Sequence, residues 1–228
     1  RRADISLVFG LCGLIYFGLG AGGGMLADRF GPRVVSSAGM LCIATGLLAS
    51  SWAPSMSVVV ACYGVFVGAG IALVYTPSIG CVQPWFKRRR GLAAGLASAG
   101  IGAGTLSVPL LATWAIAWLQ WRDAMRLLSL GVLVVGLGAA ALMRRAPAAT
   151  AGVRAVAGLS LGEAVRTRSF SWFYAMTVIA APAMFIPFAH VSAAARDMGL
   201  GDARAVGLVG LIGVGSLVGR FAIGALAD

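Results

Sequence analysis

The chain has 228 residues, of which 60% are apolar and only 11% charged, less than half the charged share of an ordinary soluble domain. That apolar content excludes disorder, and the 33 Gly follow no Gly-X-Y period. What remains is an all-α fold, a polytopic membrane helical bundle. The formal charge of +11 comes from 18 Lys and Arg against 7 Asp and Glu. In a soluble protein it would suggest nucleic acid. Here the charges fall between long apolar stretches, so they are topology signals and no nucleic-acid partner is expected.

About 20 helical residues cross a hydrocarbon core of roughly 30 Å. Seven candidate spans follow in chain order: 5–27, 34–52, 57–80, 91–116, 123–143, 170–195 and 205–227. Ahead of the first, Arg1-Arg2-Ala3-Asp4 reads as a loop with chain missing upstream. Between the first and second, Asp28-Arg29-Phe30-Gly31-Pro32-Arg33 is a tight turn, and Trp52-Ala53-Pro54-Ser55 is the next. Lys87-Arg88-Arg89-Arg90 ends the third span. Pro182 and Pro187 lie inside the sixth, where prolines kink a membrane helix and neighbours satisfy the freed carbonyls. Cys12, Cys42, Cys62 and Cys81 all fall in apolar stretches without a CxxC spacing and read as small buried apolar side chains.

Lys and Arg orient the bundle. With the 28–33 turn on the cytoplasmic side, eleven of the 18 basic residues are cytoplasmic and six are on the opposite side, as the positive-inside rule requires. Arg220 lies inside a span and is counted on neither side. The stretch 144–169 is too polar to cross a membrane. It reads as a cytoplasmic linker, or else as an amphipathic helix on the membrane surface. The expected organisation is a helical bundle over 1–143, a linker over 144–169 and the start of a second bundle over 170–228.

Small residues recur four apart at Gly20/Gly24, Gly64/Gly68, Gly91/Gly95, Gly100/Gly104 and Gly215/Gly219. This spacing lets helix backbones approach closely in lipid. A second repeat has an offset of 200. Gly24-Met25-Leu26-Ala27-Asp28 recurs as Gly224-Ala225-Leu226-Ala227-Asp228, each copy closing an apolar span on the same side. Parallel repeats of this kind build carriers whose halves are related by an axis along the membrane normal.

Gly24-Met25-Leu26-Ala27-Asp28-Arg29-Phe30-Gly31-Pro32-Arg33 resembles the loop between the second and third helices of the major facilitator superfamily. The run Trp85–Ala97, Phe188-Ala189-His190, and Ala195-Arg196-Asp197-Met198-Gly199 are similar to segments of its monocarboxylate transporter and oxalate/formate antiporter branch. The resemblance covers the whole chain. It implies part of the major facilitator fold, with the seven spans as family helices two to eight, in a multi-pass plasma-membrane protein, a bacterial inner membrane being the expected one. It implies a secondary carrier of small carboxylates, with protons or a counter-anion as coupling partners.

Candidate site residues follow. Arg220 lies about 12 Å from the end of its span, and no acid lies in the middle of any span. A guanidinium there costs at least a few kcal/mol unless it meets water, a partner or an anion. The bland alternative is a structural arginine snorkelling to the interface. The functional one is a carboxylate anchor, since its fork of donors matches two carboxylate oxygens and never deprotonates. The resemblance supports the second, because Arg220 matches the family's eighth-helix arginine. Mammalian members place an Asp four residues earlier, where this chain has Ser216. Tyr75 is a second substrate-facing candidate, and Tyr16 a weaker one; each phenol would otherwise find a carbonyl partner in the packing. His190 is the only His, able to titrate near neutral pH or to sit neutral and hydrogen-bonded. Asp28, Arg29, Gly31 and Arg33, with Asp228 in the second copy, are candidates for gating. An acid at a helix end can hold a basic residue or a helix N-terminus in one conformation and release it in another.

Enzyme, metal and cofactor sites are not expected. The single Lys87 is followed by Arg88, so there is no phosphate-binding Gly-Lys-Ser/Thr loop. Gly18-Leu19-Gly20-Ala21-Gly22-Gly23 lies inside an apolar span with no strand before it, which makes a dinucleotide site improbable. Two rivals to the organic-anion carrier remain: an efflux carrier of the same fold for neutral or hydrophobic compounds, and a membrane sensor or interaction protein that does not transport.

Overall fold

The computed structural model describes residues 2–86, 88–145 and 161–228. Seven long helices follow one another: α1 (Arg2–Phe30), α2 (Pro32–Ser51), α3 (Met56–Val82), α4 (Arg90–Trp118), α5 (Trp121–Leu142), α6 (Arg168–Asp197) and α7 (Asp202–Leu226). Six of them, all but α6, are long and apolar enough among the described residues to cross a membrane. α6 is continuous for 30 residues and runs through Pro182 and Pro187. The side chains of 181–185 lie outside the described residues. Most of the expected linker, 146–160, lies there as well, together with the surface-helix alternative. Leu161–Val165 forms a short helical segment before α6.

Local chemistry accounts for the breaks. α1 and α2 are joined by one residue, Gly31, at φ 95° and ψ 147°, a backbone region open to glycine and costly for other residues. Pro32 follows at the first helical position, where its missing N–H is no loss. Thr167 caps α6 by accepting a hydrogen bond from the Phe170 amide at 3.2 Å. α6 closes at Gly199, whose φ is +84°. There the Leu200 amide donates to the Ala195 carbonyl at 3.0 Å and the Gly199 amide to that of Arg196 at 2.9 Å, paired bonds that satisfy carbonyls a helix end leaves free.

Hydrogen bonds between helix ends establish the alternation of direction. At one end of the bundle Arg145, just past α5, donates through Nη2 to the Ala27 and Asp28 carbonyls that close α1. There too Cys81 Sγ of α3 donates to the Arg144 carbonyl at 2.8 Å. At the opposite end Arg122 of α5 reaches the carbonyls that close α2, donating from Nε to Ser51 at 3.1 Å and from Nη2 to Ala53 at 2.8 Å. Arg126 pairs with Asp123 at 2.8 Å and donates to Ser51 Oγ at 3.3 Å. α1, α3 and α5 therefore run one way and α2 the other.

Burial is inverted relative to a soluble protein. The largest fully buried side chains are Ser36, Ser50 and Ser51, and the apolar core is mostly alanine. Leu142 and Trp118 are about four-fifths exposed, as are others around the bundle. Hydrocarbon solvates large apolar side chains as well as a protein core does, so close packing of small residues holds the helices together. Ser129 Oγ of α5 donates to the buried Ala44 carbonyl of α2 at 2.8 Å, a polar link across that packing.

α4 packs along α7 in one of the broad helix pairs of the bundle. A Cβ on Gly102 would lie 2.8 Å from the Gly213 carbonyl oxygen, and one on Gly213 would lie 2.8 Å from that of Gly102. A Cβ on Gly91 would lie 2.6 Å from the Gly224 carbonyl, and one on Gly95 would strike that of Arg220. The expected pairs Gly64/Gly68 and Gly91/Gly95 pack tightly, and Gly24 meets Thr76 at 3.2 Å. Gly100, Gly104, Gly215 and Gly219 face open space. The helix rotation presents Gly102 and Gly213 to the contact, and Gly100, Gly104 and Gly215, each two residues away, point elsewhere.

Gly102→Leu should therefore overpack the α4–α7 contact at a cost of about 1–3 kcal/mol. It is expected to lower the melting temperature of the detergent-solubilised protein by several degrees. Gly104→Ala, whose Cβ meets nothing, should leave it unchanged.

Candidate functional site

α3, α4 and α7 line a wide, open cavity of about 530 Å³. Its polar lining is Tyr75 from α3, Ser98 from α4, and Ser216 and Arg220 from α7. Glycine, alanine and isoleucine supply the rest, and no acid is among the lining residues.

Close helix packing positions each group. α3 is locked between α1 and α2 just before Tyr75: a Cβ on Gly23 would strike the Ala72 carbonyl, and one on Gly70 would lie 2.6 Å from that of Gly39. Tyr75 projects from this fixed stretch, and the ring of Tyr16 on α1 meets its ring edge-on, with centroids 5.8 Å apart. Tyr16 is near enough to interact electrostatically with both Tyr75 and Arg220. On α7, Gly95 of α4 lies against the Arg220 backbone. The half-buried guanidinium donates from Nε to Ser216 Oγ at 3.1 Å. Ser98, buried on α4, donates to the Gly95 carbonyl at 3.1 Å.

Arg220 and Tyr75 thus line one cavity, and Tyr16 lies against Tyr75. His190 is exposed on α6 and does not line this cavity. Ser98 has no signal in the sequence beyond being a polar residue in an apolar run. The cavity joins a fixed positive charge to hydroxyl donors in a largely apolar wall. Such a wall raises the strength of each polar contact, and the combination suits a small anion with an organic body.

At the expected cytoplasmic end of the cavity stands Asp228. Its Oδ1 accepts from the Gly91 amide at 2.7 Å and its Oδ2 from the Leu92 amide at 2.8 Å. A carboxylate on the first free amides of a helix satisfies two orphan donors and sits at the positive end of the helix dipole. The bond spans from just past α7 to the start of α4, so α7 ends where α4 begins. The first copy of the repeat differs. Asp28, Arg29 and Arg33 are exposed, and no ion pair joins them among the described residues. Arg29 lies over the ring of Phe30 at 5.2 Å, and Arg145 holds the carbonyls of the turn instead. Arg145 falls in the stretch read as linker, where composition shows only that the chain leaves the membrane.

The family model of the Major Facilitator Superfamily matches residues 1–228. Monocarboxylate transporter 13 of Bos taurus is 33% identical over 207 residues, covering 90% of this chain and 48% of that protein. Monocarboxylate transporter 11 of Mus musculus is 34% identical over 211 residues, covering 90% and 46%. The Fujikurins efflux protein of Gibberella fujikuroi is 27% identical over 213 residues, covering 93% and 45%. The chain spans about half the length of these curated relatives. With its multi-pass helical architecture and a family match along its whole length, the chain belongs to the Major Facilitator Superfamily, a family of membrane transporters and not of enzymes.

Proposed function

We propose that the chain is part of a secondary active carrier of small organic anions, mono- or dicarboxylates, that works by alternating access. The observation that carries this reading is the Arg220 guanidinium, half-buried in a cavity whose lining holds no acid. A permanent cation in such a place costs free energy while empty and is compensated when an anion arrives. Tyr75 and Tyr16 border it and assist. Relatives named monocarboxylate transporters support the substrate class. Protons or a counter-anion drive the flux, in the plasma membrane or a bacterial inner membrane.

In this reading the bundle of 1–143 and the helices of 170–228 are the moving bodies, joined by the linker at 144–169. The α4–α7 contact is their cytoplasmic seam. Asp228 clasps that seam shut on the α4 amides, and Asp28, Arg29, Gly31 and Arg33 form the corresponding gate in the other half of the repeat.

A second reading has one supporting observation, the similarity to a fungal efflux protein. In it the cargo is neutral or hydrophobic, and Arg220 is structural. The two readings separate on one residue. In liposomes containing the full-length protein, Arg220→Ala should weaken uptake of labelled carboxylates by at least about 30-fold, corresponding to the roughly 2 kcal/mol or more lost with one partner of a buried charge pair. Arg220→Lys, which keeps the charge and loses the fork, should be strongly impaired as well. Undiminished carboxylate uptake by the alanine variant would sink the anion reading and favour the efflux one.

The clasp is tested separately. Asp228→Ala should weaken the seam by about 1–2 kcal/mol. On a background without the native cysteines, a cysteine at Ser98 should then react about 5- to 30-fold faster with a water-soluble thiol reagent added from the cytoplasmic side. An unchanged rate would show that the carboxylate does not gate the cavity.

A further inference from the structure

We propose that Ser216 is the positioning residue of the anion site: it aims the Arg220 guanidinium into the cavity without neutralising it. This rests on the reading of the cavity as a carboxylate site and adds how that site is tuned.

The two side chains lie one helical turn apart on α7, on one face, and both line the cavity. Arg220 Nε–H donates to Ser216 Oγ at 3.1 Å. A guanidinium has five N–H donors in a rigid plane. With Nε held by Ser216, four remain on the two terminal nitrogens. Those nitrogens form the planar pair that matches two carboxylate oxygens. The long arginine stem is otherwise free to populate many rotamers, so the hydroxyl removes disorder that a binding anion would have to remove.

The chemistry of the partner matters as much as its place. A carboxylate at position 216 would occupy the same fork and cancel the charge. A hydroxyl accepts one bond and leaves the charge whole. No acid elsewhere in the described lining does the cancelling instead. Ser216 therefore separates two tasks, orientation and charge compensation, and leaves the second to the substrate.

The test uses the full-length protein in liposomes, with labelled pyruvate and labelled oxalate as the singly and doubly charged probes. For whichever probe is transported, Ser216→Ala should raise KM and the dissociation constant about 5- to 10-fold, the scale of one lost hydrogen bond, with kcat within about twofold. Ser216→Thr, which keeps the hydroxyl, should restore both. Ser216→Asp should bind the anion at least about tenfold more weakly, because the new carboxylate takes the fork. If the alanine variant fails to accumulate, Ser216→Cys, with a similar volume and a poorer acceptor, gives the same readout. An unchanged KM in Ser216→Ala, or wild-type affinity in Ser216→Asp, overturns the positioning role. Arg220→Ala in parallel separates the two claims. Loss of uptake there beside an unaffected Ser216→Ala leaves the anion site standing without this residue, retained uptake removes the anion site itself, and transport of neither probe by the unmodified protein removes both.

Discussion

α4 and α7 touch backbone to backbone along most of their length, and the rest of the candidate site depends on it. At Gly91, Gly95, Gly102, Gly213 and Gly224 no side chain stands between the helices. In lipid, where apolar surface gains little by leaving its solvent, such contacts are what association is made of. The contact sets the height and rotation of α7, and through them where Arg220 emerges. It also brings the last carboxylate of the chain onto the first amides of α4. Arg220 on α7 and Asp228 just past its end lie eight residues apart, so displacement of the helix carries both.

Polar groups elsewhere complete helix ends. Arg122 and Arg126 serve the carbonyl end of α2, and Arg145 serves that of α1. Arg122 and Arg145 answer carbonyls that a helix terminus leaves without partners, and Arg126 meets the Ser51 hydroxyl beside them. The buried serines act similarly within the bundle: Ser50 Oγ returns to the Gly46 carbonyl at 2.7 Å, and Ser51 Oγ to that of Leu48 at 2.7 Å. Against that background Arg220 differs. It lies beside the cavity, bonded to Ser216, and serves no helix end.

The helices were legible because each is a long apolar run closed by charge, glycine or proline, and those breaks are local. The turn at Gly31-Pro32 could be foreseen for the same reason: the needed dihedral and the missing amide belong to those two residues. Glycine spacing was legible only in part. Gly91 and Gly95 pack as the pattern suggests, while Gly100/Gly104 and Gly215/Gly219 meet no neighbouring helix, because spacing defines a stripe and only the partner helix decides which stripe is used. Arg220 stood out as a lone charge in an apolar run, and Tyr75 as a phenol in another. Arg145 and Ser98 gave no such sign, since a basic residue past a helix and a serine within one are ordinary. Asp228 emerged from the repeat, but its partners, two amides more than 130 positions away, belong to tertiary structure.

Slack is unevenly distributed along this chain. α1 passes to α2 through Gly31 alone, and α4 to α5 through Leu119 and Gln120. Hairpins joined so briefly swing as stiff levers, with no room for one arm to slide past the other. The connection between α3 and α4, Gln83 to Arg89, is longer and begins with a tight 3-10 turn over Gln83–Trp85. Any reorientation of α4 relative to α3 is accommodated between those two helices, so shortening the connection would restrain it while leaving each helix intact.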